Sequence, residues 1–451
     1  MPTMAEALDR IKGQVTAVVP EELIRQLCDE VGHRWRDREL GPVVTTYLFL
    51  EQILHGNRAV GELRHRANLS CTDAAYCQAR RRLPRRLLER LQQTVTGRLR
   101  NADGPPAPTW QGHRLFLLDG SSFSMPDTPA LRTHFGQPSG QAEGCGFPVA
   151  HLMVLCDAEA GYLCETQAAP LSTSDLSQTP VLHAALHEND VLVGDRAFGT
   201  YAHLALCRQR KLHGIFRAHQ KIIVDFTPHR WHVTEAHRRH GAKGRPTSRW
   251  LQQLGKDDQL VEYFKPKKRP AWLTAAEYAA LPASQVVREL RYTIREPGRR
   301  TRVVTLVTTL LDPERYSAAE LARMYGLRWR VETNLKHLKT TLGLDILRCK
   351  TVEGVLKELT VFVLIYNLVW RVMGEAGQRQ GVEPNRISFV DAWRWLRYAR
   401  PEDELPVLVV NPQRTGRCEP RVRKRRPKQY PVMKRPRAEL RKVLMEKPVA
   451  A

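Results

Sequence analysis

Between Tyr325 and Leu342 the chain reads YGLRWRVETNLKHLKTTL, and two sets of residues in it repeat at helical spacing. Leu327, Val331, Leu335, Leu338 and Leu342 step by 4, 4, 3 and 4, while Tyr325, Arg328, Glu332, Lys336 and Lys339 step by 3, 4, 4 and 3. At roughly 100° per residue the two sets fall on opposite sides of one helix. The aliphatic side has to bury, so this helix must lie on a core. The other side lifts one carboxylate, Glu332, among three cations and a phenol. A solvated surface helix gains most from matched i,i+4 charge pairs. One acid among several bases suits a metal held beside a phosphate instead.

Upstream, two short apolar runs end on isolated aspartates. Arg114–Leu118 stops at Asp119 and a turn-like Gly120-Ser121-Ser122, and Val191–Val193 stops at Gly194-Asp195-Arg196. Between them, Phe147–Cys156 and Tyr162–Ala168 flank a hairpin signal at 157–161, and Ser172–His187 predicts a helix. Thr200–Gln209 reads as helix and His213–Arg217 as strand. The order is strand, hairpin, helix, strand, helix, strand. In a mixed sheet whose first and fourth strands are neighbours, Asp119 and Asp195 come side by side, and an acid on a later helix can meet them. Glu320 and Asp345 compete with Glu332 for that third place, but neither sits as centrally on the cationic face.

Three carboxylates make a hard, oxygen-only donor set, which suits Mg²⁺ or Mn²⁺ and not zinc. Two such ions roughly 3.5–4 Å apart clamp the attacking and leaving oxygens of an in-line phosphoryl displacement. Arg328, Lys336 and Lys339 would hold nearby phosphates, and Tyr325 would hydrogen-bond to or stack on a nucleotide. No Ser-His-Asp or Cys-His constellation competes. His229, His232, His237 and His240 match no closed zinc spacing and read as exposed residues of a basic loop.

Charge agrees with a phosphate-bearing partner. The 451 residues carry 71 Lys plus Arg against 47 Asp plus Glu, a net +24 with a pI near 10.0, which favours nucleic acid over a membrane surface. The nine cysteines form no CxxC pair and read as reduced thiols, and no basic-then-apolar leader opens the chain. The apolar run Leu359–Trp370 is too short for a bilayer and contains Asn367. A soluble, cytoplasmic, nucleoid-associated protein is expected.

Residues 1–105 predict an all-helical N-terminal DNA-binding domain, with segments at Pro20–Val31, Pro42–Leu54, Ala59–Ala67 and Thr72–Leu99. The last is divided at Pro84, and Arg80, Arg81, Arg82, Arg85 and Arg86 cluster around that division. A generic helical bundle with a basic surface fits the same pattern. Residues 110–217 are the first part of an α/β core, and 218–312 a β-rich insertion ending in a strand over Val303–Leu310. Residues 313–400 hold the Tyr325 helix and two further helices, Val352–Met373 and Phe389–Tyr398. Residues 401–451 form a basic arm; from Asn411 to Ala451 there are 14 Lys plus Arg against 3 Glu, which predicts a disordered or extended segment.

Tyr325-x2-Arg328-x3-Glu332-x6-Lys339 resembles the YREK signature of prokaryotic DDE transposases of the insertion sequence 4 family, and LLDGSS around Asp119 and VGDRAFG around Asp195 resemble that family's two aspartate blocks. The likeness covers roughly residues 110–375. It implies an RNase H-like mixed-sheet core and a triad of Asp119, Asp195 and Glu332 binding two divalent ions. It further implies cleavage of double-stranded DNA at element ends, joining of the 3′ ends to target DNA, and a homodimer or larger assembly on paired ends. By position, Tyr325, Arg328 and Lys339 would contact the phosphate backbone. Some relatives hold a flipped base with a tryptophan just before the strand leading to the signature. Val303–Leu310 carries no tryptophan, and those of the insertion, Trp231, Trp250 and Trp272, lie further upstream. A metal-dependent nuclease of the same fold, and a catalytically inactive DNA-binding relative, are the competing readings.

Overall fold

The computed structural model describes residues 18–36, 38–62, 71–101, 110–139, 142, 144–294, 303–399, 403–412 and 434–446. Among the described residues the N-terminal part contributes the helices α1 (Glu21–Glu30), α2 (Pro42–Leu54), α3 (Asp73–Arg82) and α4 (Arg85–Arg100). Thr72 caps α3 by accepting a hydrogen bond from the Ala75 amide. Pro84, which lacks an N–H and fixes φ, divides α3 from α4 as its chemistry requires. The helix expected over 59–67 falls mostly outside the described residues.

The core follows as β1 (Leu115–Ser124), α5 (Pro129–Phe135), β2 (Val149–Asp157), β3 (Leu163–Pro170), α6 (Asp175–Leu182), β4 (Val191–Gly194), α7 (Tyr201–Gln209) and β5 (His213–Arg217). Next come α8 (Glu235–Arg239), β6 (Arg249–Gly255), β7 (Asp258–Phe264), α9 (Ala275–Ala280), β8 (Ser284–Thr293) and β9 (Val303–Thr308). The chain continues through α10 (Ala318–Gly326), α11 (Arg328–Lys336), α12 (Val352–Gln380), α13 (Phe389–Tyr398) and α14 (Arg437–Glu446).

All nine strands lie in one sheet, ordered β3-β2-β1-β4-β5-β9-β8-β7-β6. β1, β2 and β3 pair antiparallel, and β4 and β5 run parallel to β1, which gives the RNase H-like mixed sheet preceded by helices. The strands of 218–312 join that sheet edge to edge, because β9 pairs with β5 from Ile215–Thr308 to Arg217–Leu306.

Side-chain alternation decides which face of the sheet each helix covers. Leu115 and Leu117 of β1 and Val191 and Val193 of β4 point into the main core, with α12, α4 and the buried residues of α11. Phe116, Leu118 and Leu192 point to the other face, under α6 and α7. The N-terminal helices and the sheet therefore share one apolar core. Asn367, fully buried in α12, answers β3 by accepting from the Leu163 amide at 2.9 Å and donating to its carbonyl at 3.0 Å. Among the described residues no helix is long and apolar enough to cross a membrane.

Three expectations need correction. Residues 120–122 are not a turn: β1 runs on to Ser124, because all of Gly120–Ser124 pairs with β2, and only the parallel pairing to β4 ends at Leu118. The helix over 325–342 is not one α-helix. It breaks between α10 and α11 at Leu327, and α11 passes into a π turn over His337–Thr341, where the Leu342 amide reaches back to the His337 carbonyl. Part of the C-terminal arm is helical and docked: Arg437, at the start of α14, bonds Asp127 at 3.0 Å and lies over the Phe147 ring. The 413–433 run lies outside the described residues.

Candidate active site

The register of the sheet brings the two aspartates together. β1 and β4 are parallel and Leu118 pairs with Gly194, so Asp119 and Asp195 occupy the next position on adjacent chains. Asp119 has the same parity as Leu115 and Leu117, which directs it to the face on which α11 packs through Val331 and Leu335. The turn after β4 is tight. The Ala197 amide donates to Asp195 Oδ1 at 2.7 Å, and the Phe198 amide donates to the Asp195 carbonyl. Two glycines make that turn possible. A Cβ on Gly194 would lie 2.7 Å from the Phe198 ring, and one on Gly199 would lie 2.5 Å from the Arg217 carbonyl oxygen.

Glu332 comes from the exposed side of α11, and Arg328 one turn before it bonds Glu332 Oε1 at 2.9 Å. Asp119, Asp195 and Glu332 line one cleft of about 520 Å³ together with Tyr325, Arg328 and Trp329. Burial pushes the Asp119 carboxyl up to about 6, and the nearby Asp195 and Glu332 carboxylates push the same way. The Gly120 amide and Arg328 pull it back. Tyr325 is buried, and burial raises its phenol. The Arg328 guanidinium lies over the Trp329 ring, 4.7 Å from its centroid, and 6.0 Å from that of Tyr325. Its Nε is buried without a protein partner.

The remaining sequence candidates separate. Lys339 reaches the strand from the π turn and donates to Ser121 Oγ at 2.9 Å. Lys336 is exposed and does not line the cleft. Of the rival acids, Glu320 bonds Gln111 and Ser317, and Asp345 is exposed, its carbonyl accepting from the Ser124 amide. Neither lines the cleft. Arg196, Arg217, Arg323 and Trp329 do line it and were not singled out from the sequence. Arg196 and Trp329 sit beside selected residues, which was the available signal; Arg217 and Arg323 carried none. The insertion tryptophans are engaged elsewhere: Trp231 and Trp250 pack against His237 and His229, and Trp272 against the apolar core under α6 and α7.

A second basic site lies on the N-terminal helices. A groove of about 290 Å³ is lined by Arg34, Trp35, Arg36 and Arg38 from the segment before α2, and by Arg82 from the end of α3. The four arginines are exposed, and no acid lines the groove among the described residues. Arg80, by contrast, turns inward: it bonds Gln52 and Cys349 and lies 3.9 Å from the centroid of the Phe49 ring.

As a donor set, three carboxylates pressed together with a raised Asp119 fit hard divalent cations, whose charge would relieve their mutual repulsion.

Comparison with known proteins gives three findings. The family described as "Transposase DDE domain" matches residues 110–368. "Transposase InsG for insertion sequence element IS4" of Escherichia coli (strain K12) is 26% identical over 378 residues, covering 79% of this chain and 78% of that one. Among solved structures, the piggyBac transposase synaptic complex with hairpin DNA gives a TM-score of 0.43 at 10% identity, covering 87% of this chain and 79% of that one.

Proposed function

We propose that this chain, which belongs to the transposase DDE-domain family and is a DDE transposase of the IS4 type, cuts double-stranded DNA at the ends of its element and joins the 3′ ends to target DNA. The observation that carries the reading is the shared cleft of Asp119, Asp195 and Glu332, supplied by two parallel strands and a later helix. Asp119, Asp195 and Glu332 would hold two Mg²⁺ or Mn²⁺ ions. Bound there, such ions activate water or a 3′-hydroxyl and stabilise the departing oxygen. The protein's own groups do the rest. Arg328 pairs with Glu332 and orients it, and a scissile phosphate entering the cleft meets Arg328, Arg217 and Arg196 as counter-charges. Tyr325 offers its phenol to a backbone oxygen, and Trp329, partly exposed at the cleft, offers a face on which a base can stack. Lys339 ties the end of α11 to β1 through Ser121, and Lys336 is left to contact DNA outside the cleft.

The arginine groove supports end binding by the N-terminal helices, since exposed guanidinium groups around an aromatic side chain suit a DNA backbone. Two such chains on paired ends form the active assembly in this reading.

The test uses DNA carrying the element's own ends with Mg²⁺ or Mn²⁺, and Asp119→Asn, Asp195→Asn and Glu332→Gln variants. All three are expected to keep end binding and lose both nicking and joining. A variant with wild-type rates removes its residue from the site. Wild-type cutting without joining replaces the transposase by a nuclease of the same fold, and binding without cutting replaces it by an inactive DNA-binding relative.

A further inference from the structure

On the sheet face away from α11, under α6 and α7, three soft ligands meet in the interior. His183 lies in the short 3₁₀ turn 183–185 after α6, and His203 and Cys207 stand one turn apart on α7, hence on one face of it. All three are at most 2% exposed. The Nε2 atoms of the two histidines are 3.1 Å apart, and Cys207 Sγ lies 3.9 Å from His203 Nε2. The three donor atoms all fall within 4.8 Å of one another.

Hydrogen bonding alone handles this cluster poorly. His203 Nδ1 faces the Phe198 carbonyl at 2.8 Å, and a carbonyl only accepts, so Nδ1 carries the proton and Nε2 presents a lone pair. His183 Nε2–H and the Cys207 thiol are then two donors competing for that one lone pair. A metal ion accepts all three lone pairs at once. Bonds of about 2.0–2.1 Å to nitrogen and about 2.3 Å to sulfur at tetrahedral angles put nitrogens about 3.3 Å apart, and nitrogen about 3.6 Å from sulfur. The two separations from His203 Nε2 lie within a few tenths of an ångström of these, and the third, from His183 Nε2 to Cys207 Sγ, is at most 4.8 Å. The bond from His203 Nδ1 to a backbone carbonyl is also the arrangement that fixes a ligating imidazole. Among the described residues His183 Nδ1 has no protein partner with or without a metal, so it favours neither state.

We propose that His183, His203 and Cys207 bind one thiophilic d¹⁰ metal ion, Zn²⁺ or Cu(I), which fastens α7 to the 3₁₀ turn that follows α6. Burial holds His183 near 2 and His203 near 4, so both imidazoles are neutral, the form that ligates. The thiol is pushed up to about 12 by burial, so the ion displaces its proton to solvent as the metal–sulfur bond forms. With one thiolate and two neutral imidazoles, Cu(I) gives an uncharged centre, whereas Zn²⁺ leaves one positive charge and calls for a fourth donor. The link to the active site is short: His203 holds the Phe198 carbonyl, and the Phe198 amide holds the Asp195 carbonyl.

The test uses the full chain without a polyhistidine tag, expressed in zinc- and in copper-supplemented medium, dialysed against EDTA and analysed by elemental mass spectrometry. The expected result is about one equivalent of zinc or copper per chain in wild type, with the retained element identifying the ion. Cys207→Ala and Cys207→Ser are expected to lower it at least tenfold. Refolding wild type with Co²⁺ is expected to give a thiolate-to-cobalt charge-transfer band, which the all-oxygen site cannot produce. That band decides the matter where a cysteine variant fails to fold. Folded wild type holding under about a tenth of an equivalent from both media and lacking the band overturns the proposal, as does full metal content in Cys207→Ala. None of these readouts depends on DNA cleavage.

Discussion

Glu358 and Asp119 are both acids with restricted access to water, and the protein treats them differently. Glu358, fully buried on α12, accepts from the Arg348 and Cys349 amides at 2.9 Å each and from the Asn57 side chain. Around it, Arg80 bonds Gln52 and Cys349, and Lys357 donates to the Arg81 carbonyl, so the seam between the N-terminal helices and α12 answers each charge with a fixed donor or dipole. Asp119 has one amide and a nearby guanidinium, and two further carboxylates in the same cleft. A buried charge with a complete set of partners holds a fold together. The neighbouring carboxylates of the cleft lack so complete a set, the arrangement that a bound cation would relieve. In the function proposed above, the seam serves stability and the cleft serves chemistry.

Substitution at each place should therefore move a different observable. Asp119→Asn is expected to lower DNA cleavage by at least about 10³-fold. It should leave the thermal midpoint unchanged or raise it, since it removes a repulsive charge. Glu358→Ala strands three donors and is expected to cost about 3–5 kcal/mol. Urea denaturation of both variants beside cleavage rates checks the pair. A destabilised Asp119→Asn, or a Glu358→Ala of wild-type stability, breaks the comparison.

pH sharpens it. The Asp119 carboxyl sits near 6 in the folded protein against an ordinary value of 3.8, so the folded state keeps a proton that the unfolded chain has released. Its contribution to stability is present below about 4 and is lost as pH rises through about 6. Metal-free protein should show this loss between those values in its urea midpoint. Mg²⁺ should offset it, and Asp119→Asn should abolish it. A slope in that window that is unchanged in Asp119→Asn assigns it to another group.

Much of this was legible in the sequence. The run from Arg114 to Arg217 gave the order of elements except for α5, which it missed, and of the aliphatic stripe Val331, Leu335, Leu338 and Leu342 are buried as the spacing required while Leu327 is half-buried. Each strand-end aspartate taken singly is a weak signal, since such residues often only form turns; Asp119 and Asp195 pointed to a site only together with the cationic helix face around Glu332. What failed was local. Gly120-Ser121-Ser122 looks like a turn because those residue types favour one, yet the whole stretch is held extended by pairing with β2, a contact distant in sequence. The π turn left no trace in a helical pattern that repeats every three or four residues. Arg80 looked like its neighbours, and only the packing of α2 and α12 against α3 reveals that it faces inward. The cluster of His183, His203 and Cys207 spans 25 residues with no motif spacing, so only the fold assembles it.

The smallest expected effect lies at the edge of the cleft, where the π turn separates two lysines that the sequence ranks together. One extra residue in that turn brings Lys339 to Ser121 on β1, whereas Lys336, still on α11, remains in solvent. Lys339 thus joins the strand carrying Asp119 to the helix carrying Glu332. Losing that tie lets the third carboxylate drift, and misplacement of about 1 Å costs on the order of 10²-fold in rate at most. Lys339→Ala is therefore expected to slow cleavage by roughly tenfold or more at saturating DNA. Ser121→Ala should reproduce part of the loss, because it removes the other end of the same bond. Lys336→Ala should change the rate at saturation by less than about twofold and reduce the salt dependence of binding by roughly one phosphate contact. Equal losses at saturation for the two lysines would mean that both meet DNA alike and that the contact to Ser121 positions nothing.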